Sequence, residues 1–161
     1  MIVAHDLYAE TNPAFCSYIL TTFTSAYEEE KSSSPEMLLC YAALPIALSG
    51  DLEKTFLGTN RLTGLLEWLQ RNPVVQIDLR ERIDSSADIV TEAIQYGCFS
   101  KILSINEQGL MSVGPKSTNK SAINRLSSPN LNAFKRARSL GYWMAMAGST
   151  RTTLNMMGLT V

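Results

Sequence analysis

Apolar residues recur at helical spacing through most of the chain, and polar dipeptides ending in proline mark where several of these runs begin. Asn12-Pro13 opens the first. Asn12 can accept from the orphan amides of a helix start, and Pro13 is preset for the first helical position. Phe15, Ile19, Phe23 and Ala26 then put one face inward, which predicts a helix to about Glu30. Glu28, Glu29 and Glu30 sit at the end where the helix dipole disfavours acids, so they are expected to end in water and fray. After a short polar loop, Ser34-Pro35 repeats the start signal for a segment through Leu48, in which Pro45 should kink or end the helix. That segment, MLLCYAALPIAL, is apolar nearly all round, the mark of a central core element.

Leu62, Leu65, Leu66 and Leu69 form an amphipathic stripe that predicts a third helix over roughly 60–71, with Trp68 beside it and Asn72-Pro73 closing it. A short helical piece holding Val74, Ile77 and Leu79 follows. Asp84 or Ser85 then caps a fourth helix to about Gly97, with Ala87, Val90, Ile94 and Gly97 facing inward. KILSI at 101–105, the turn 106–109 and LMSVG at 110–114 read as a β-hairpin. A Ser/Asn/Lys-rich loop over 115–127 leads to Ser128-Pro129, the start of a long helix to about Ala147. Leu131, Phe134, Ala137, Gly141 and Met144 mark its inner face, and a last short helix spans about 150–157. This order predicts an α+β, mostly α chain: a winged-helix-like centre at about 60–114 with helical extensions on both sides and one hairpin. All of it falls in a single domain over 1–161. An all-α bundle that carries the hairpin as decoration is the alternative.

Composition agrees with one folded unit, because 45% hydrophobic and 18% charged residues lie far from the disordered regime. Cys16, Cys40 and Cys98 have no pair spacing and lie in apolar stretches, which predicts buried reduced thiols in a cytoplasmic protein. No apolar run approaches the ~20 residues that span a bilayer, and no basic leader precedes one, so neither export nor membrane insertion is expected. Charge is split along the chain. All fifteen acids fall at or before Glu107, so residues 1–107 carry −8 and the remainder +7. Such a split suits a surface that meets an acidic partner, either nucleic acid or protein.

Catalytic patterns are missing. His5 is the only histidine, and no phosphate loop, CxxC pair or HExxH occurs, so no catalytic residue, metal or cofactor is expected. Asp84, Asp88 and Glu92 follow one another at i, i+4 on the fourth helix, a solvated polar edge that would repel phosphate if this helix entered a DNA groove. Any DNA contact therefore falls to Lys101 on the hairpin and to Lys116, Lys120 and Arg125 after it, through phosphate and without sequence preference. On the long helix, Tyr142, Trp143 and Met146 exceed what one buried face needs. With Lys135, Arg136 and Arg138 as a charged rim, they make an expected docking surface for a protein partner.

Several segments also resemble, in order, a known family: NPAFCSYIL, MLLCYAALPIAL, LLEWLQRNP, DIVTEAIQYG, KILSINEQGLMSV and LGYWMAMAGSTRTTLNMMGL. The set is similar to the middle component of bacterial three-component ABC systems, of which Lamassu-type anti-phage systems are the best known. The long loop after the hairpin departs from that pattern. The resemblance implies a non-catalytic adaptor that joins an SMC-like ABC ATPase to an effector, a nuclease, in a DNA-sensing anti-phage or anti-plasmid complex. It implies no cofactor and no small-molecule substrate. A stand-alone winged-helix DNA-binding regulator is the rival reading.

Overall fold

The computed structural model of the chain describes residues 12–116 and 128–160. The first helix, α1 (Pro13–Lys31), starts at the Asn12-Pro13 signal: Asn12 Oδ1 accepts from the amides of Ala14 at 3.0 Å and Phe15 at 3.3 Å. Its acidic end does not fray as expected. Arg61 ion-pairs with both Glu29 and Glu30, Ser34 donates to the Glu28 carboxylate, and Ser32 in the left-handed region closes the last turn. Charges that oppose the helix dipole are thus offset by a distant part of the chain.

The apolar segment forms α2 (Met37–Leu48), buried at Leu39, Cys40 and continuously over 42–47, with Pro45 inside the helix. Its entry differs from the Ser34-Pro35 start. The Pro35 carbonyl accepts from the Met111 amide at 2.8 Å and the Met37 amide donates to Gly109 at 2.9 Å, so the chain runs along the hairpin before turning helical. A 3-10 turn (Gly50–Phe56) leads to α3 (Leu65–Arg71), shorter than expected. Asn60 and Thr63 bond to each other and Gly64 takes φ +79°, a turn that holds residues 60–64 out of the helix. Losing that first turn changes which leucines are covered. Leu65, Leu69 and Trp68 are buried, whereas Leu62 and Leu66 face solvent.

After a second 3-10 turn (Pro73–Gln76), α4 (Leu79–Phe99) begins earlier than the Asp84/Ser85 signal, behind Asp78 in the left-handed region. It buries Leu79, Val90, Ala93, Ile94 and Gly97. A Cβ at Gly97 would lie 2.5 Å from Leu103 Cδ1, so a larger residue there would force the Leu103 side chain to shift where the hairpin packs on this helix. Strands β1 (Leu103–Ile105) and β2 (Met111–Val113) pair antiparallel with Leu103 opposite Val113, and Asn106 Oδ1 accepts from the Gln108 and Leu110 amides to shape the turn. The long helix is α5 (Ser128–Met146) and the last is α6 (Thr150–Met156).

The fold is thus α+β and mostly helical, with a single antiparallel hairpin among the described residues. The centre of its packing is α5, which lies against α1, α2, α3 and the first 3-10 turn. Phe15 meets Phe134 edge to face, Gly141 sits under Phe23 and Ala26, and Lys31 reaches the Gly148 carbonyl, so α1 and α5 run side by side in one direction. Gly141 permits that approach: a Cβ there would stand 2.5 Å from the Phe23 carbonyl oxygen. Within the 60–114 stretch, α3 packs on α5 and α6, while α4 packs on α1 and α2 and carries β1. No helix among the described residues is long and apolar enough to cross a membrane.

Candidate interaction surface

Three side chains expected at the docking surface are instead held inside the chain or in its contacts. Trp143 is fully buried, stacked on Phe56 at 5.7 Å and tilted against Trp68 at 5.3 Å, and its indole N–H donates to the Asn60 carbonyl at 3.0 Å. It is core. The reason is that α5 is covered on several sides, so apolar residues beyond one face are consumed by α3 and the 3-10 turn rather than left wet. Arg136 is 5% exposed: its Nε donates to the Ala47 carbonyl at 2.8 Å, an otherwise unpaired group at the end of α2, and its Nη1 pairs with the Glu53 carboxylate. It ties α5 to two other elements and is no rim charge. Tyr142 is half-buried beneath the Arg61 guanidinium, 4.0 Å from its ring centroid, and donates its hydroxyl to Glu29 at 3.0 Å. Burial and that carboxylate raise the Tyr142 hydroxyl pKa.

Lys135, Arg138 and Met146 remain exposed. Together with the edge of Tyr142 they fall at i, i+3, i+7 and i+11, one line along the outside of α5. No ion pair engages Lys135 or Arg138 among the described residues. Beside the lower end of this line lies the loop between the first 3-10 turn and α3, anchored from inside by Trp143 through Asn60 and from outside by Arg61. It presents Leu57 and Leu62 at 72% and 81% exposure. A loop so tightly bonded does not leave two leucines bare through slackness. Sequence reasoning missed it, although the polar Asn60 and Gly64 around Leu62 are turn residues that could have broken the assumed helix.

Asp84, Asp88 and Glu92 are exposed along α4 without an ion pair among the described residues. Both α4 and α5 pack on α1 and α2 and make little contact with one another, so the acidic edge and the basic line lie on two separate helices. No group of three His, Cys, Asp or Glu side chains that could hold a metal occurs among the described residues. Burial pushes the Cys40 thiol up to about 12 and raises Cys98 as well, which keeps both protonated at neutral pH. Cys16 and Cys40 are buried as expected, Cys98 only partly.

Of the cations expected to meet phosphate, Lys101 and Lys116 are exposed and adjacent, with the Lys116 amide bonded to the Lys101 carbonyl at 3.0 Å. Lys120 and Arg125 lie outside the described residues, as does His5. Next to the two lysines stands Phe99, 89% exposed at the last position of α4, which the periodicity of that helix did not single out.

Compared with known families, residues 2–161 match the model described as ABC-three component (ABC-3C) system Middle Component 3. No curated protein and no solved structure matches the chain.

Proposed function

The chain belongs to the ABC-three component (ABC-3C) system Middle Component 3 family, and on that premise we propose that it is a non-catalytic adaptor between an ABC ATPase and an effector. The ATPase is SMC-like and the effector a nuclease, in a cytoplasmic anti-phage or anti-plasmid complex of Lamassu type that senses foreign DNA. One observation carries the adaptor reading: two exposed faces of opposite charge, α5 with its leucine loop and α4 with its acids, stand on two separate helices that both pack on α1 and α2. A bridge needs two such faces, and charge of opposite sign lets each reject the other's partner. The α5 line of Lys135, Arg138, Tyr142 and Met146, flanked by Leu57 and Leu62, suits an acidic partner surface with an apolar centre. The α4 edge suits a basic one. A stand-alone winged-helix regulator fits less well, since the helix before the hairpin shows phosphate three exposed carboxylates.

Charge reversal separates the faces. Lys135→Glu with Arg138→Glu and Met146→Asp should leave the circular dichroism and melting of the isolated chain unchanged, yet weaken one partner by about 2 kcal/mol or more. Asp84→Lys with Asp88→Lys and Glu92→Lys should weaken the other. Partners that stay bound to both variants in a pull-down would show that neither face is a docking surface.

A further inference from the structure

We propose that the end of α4 and the base of the hairpin form a platform for single-stranded nucleic acid, with Phe99 and Tyr96 stacking on bases and Lys101 and Lys116 holding phosphate. The proposal rests on the reading that the assembled complex meets DNA, and adds which surface of this chain would touch it and in what form.

The chemistry of the patch begins with exposure. Phe99 is 89% exposed and Tyr96, one turn earlier on the same side, 38% exposed. One bare ring beside one partly exposed ring at a helix end offers flat faces of the kind on which unpaired bases stack. Cations stand next to them. Neither Lys101 nor Lys116 has an ion pair among the described residues; the acids nearest in the chain are Glu107, at the far tip of the hairpin turn, and Glu92, one turn before Tyr96.

The backbone holds this arrangement firmly. After α4 the Ile102 amide donates to Gly97 at 3.0 Å and the Lys101 amide to Cys98 at 3.2 Å, the paired bonds of a Schellman closure with Lys101 at its left-handed position, φ +63°. Glycine takes that position without strain, and lysine does not. Lysine, like Ser32 and Asp78 elsewhere in the chain, holds this conformation at a small cost to the fold. The Lys116 amide donates to the Lys101 carbonyl at 3.0 Å, which brings the two lysine backbones together at the base of the hairpin.

A duplex fits poorly. Its bases are already stacked and unavailable to Phe99, and its broad phosphate surface would meet Asp84, Asp88 and Glu92 further back on α4. A single strand needs only the last turn of the helix, running from Phe99 over Lys101 and Lys116, with Glu92 the nearest acid on that helix, one turn before Tyr96.

The test uses the isolated full-length chain and fluorescence anisotropy, with a labelled oligothymidylate of about twenty nucleotides and the matching duplex as probes. The oligothymidylate should bind more tightly than the duplex, and Phe99→Ala should weaken it roughly tenfold while leaving the duplex nearly unaffected. Lys101→Gly should melt at or above the parent temperature, yet bind more weakly and flatten the slope of log K against log salt by about 0.7. Absence of single-strand binding, equal binding of the duplex, or affinity indifferent to Phe99 would overturn the proposal. So would a Lys101→Gly variant that melts lower and binds as before, since the lysine would then serve the fold. Phe99→Ala that releases a protein from the co-expressed complex with unchanged affinity for the oligonucleotide would also overturn it, assigning the ring to a protein contact. A chain that binds the oligonucleotide as described but joins no partner keeps this proposal and removes the adaptor reading.

Discussion

Trp143→Ala is expected to destabilise the isolated chain by about 3–5 kcal/mol, enough to abolish a cooperative melt in a protein of ordinary stability. The indole is wholly buried between Phe56 and Trp68 and bonded to the Asn60 carbonyl. Removing it opens a large cavity, strands that carbonyl and frees the loop bearing Leu57 and Leu62. The loss should therefore reach beyond the core: any partner that docks on the leucine loop should dissociate together with the fold. Trp143→Phe fills part of the space but lacks the N–H, and should cost less while still loosening the loop. Urea denaturation followed by circular dichroism measures both. A Trp143→Ala variant that melts like the parent would place the side chain on the surface and contradict the packing described here.

Arg136→Met is the second large effect, expected to cost about 2–3 kcal/mol. Methionine keeps the length of the arginine stem but has no donors, so it leaves the Ala47 carbonyl unpaired at the end of α2 and the Glu53 carboxylate without its cation. The figure is set below that of a fully buried pair because the Glu53 side chain is 38% exposed and water can take up part of its charge. Glu53→Gln in the Arg136→Met background should recover some of the loss, since it removes the charge that has lost its partner. Urea melts of the four proteins in this double-mutant cycle give the coupling directly. A loss under about 0.5 kcal/mol in the single variant would mean that Arg136 behaves as a surface cation.

Local signals carried well from sequence to structure where the physics was local. Asn12-Pro13 caps α1, the turn around Asn106 closes the hairpin, and the all-round apolar segment became the buried α2. Failures came where distant residues decide. Nothing near Glu29 and Glu30 announces that Arg61 will hold them, and nothing near Arg136 announces Ala47 and Glu53. The burial of Trp143 has a different origin. Apolar residues on several sides of a helix were read as a central element in α2 and as a wet surface in α5, although the same pattern carries the same meaning in both. With Phe134, Ala137, Leu140, Trp143, Met144 and Ala145 buried, α5 is a second central helix. What was legible of the candidate surface is the charge: Lys135 and Arg138 are outside, as are Asp84, Asp88 and Glu92, because an unpaired charge is rarely buried. The exposed Leu57 and Phe99 were not legible, since an apolar side chain by itself does not say whether it is covered, whereas Leu62 sits in a turn that Asn60 and Gly64 signal.

The most direct measurement of the proposed adaptor role is native mass spectrometry of the complete three-component system, expressed with and without this chain. With the chain present, the ATPase and the effector should appear in one particle that contains it. Without the chain they should separate. A particle of ATPase and effector that forms equally well in its absence would contradict the adaptor role.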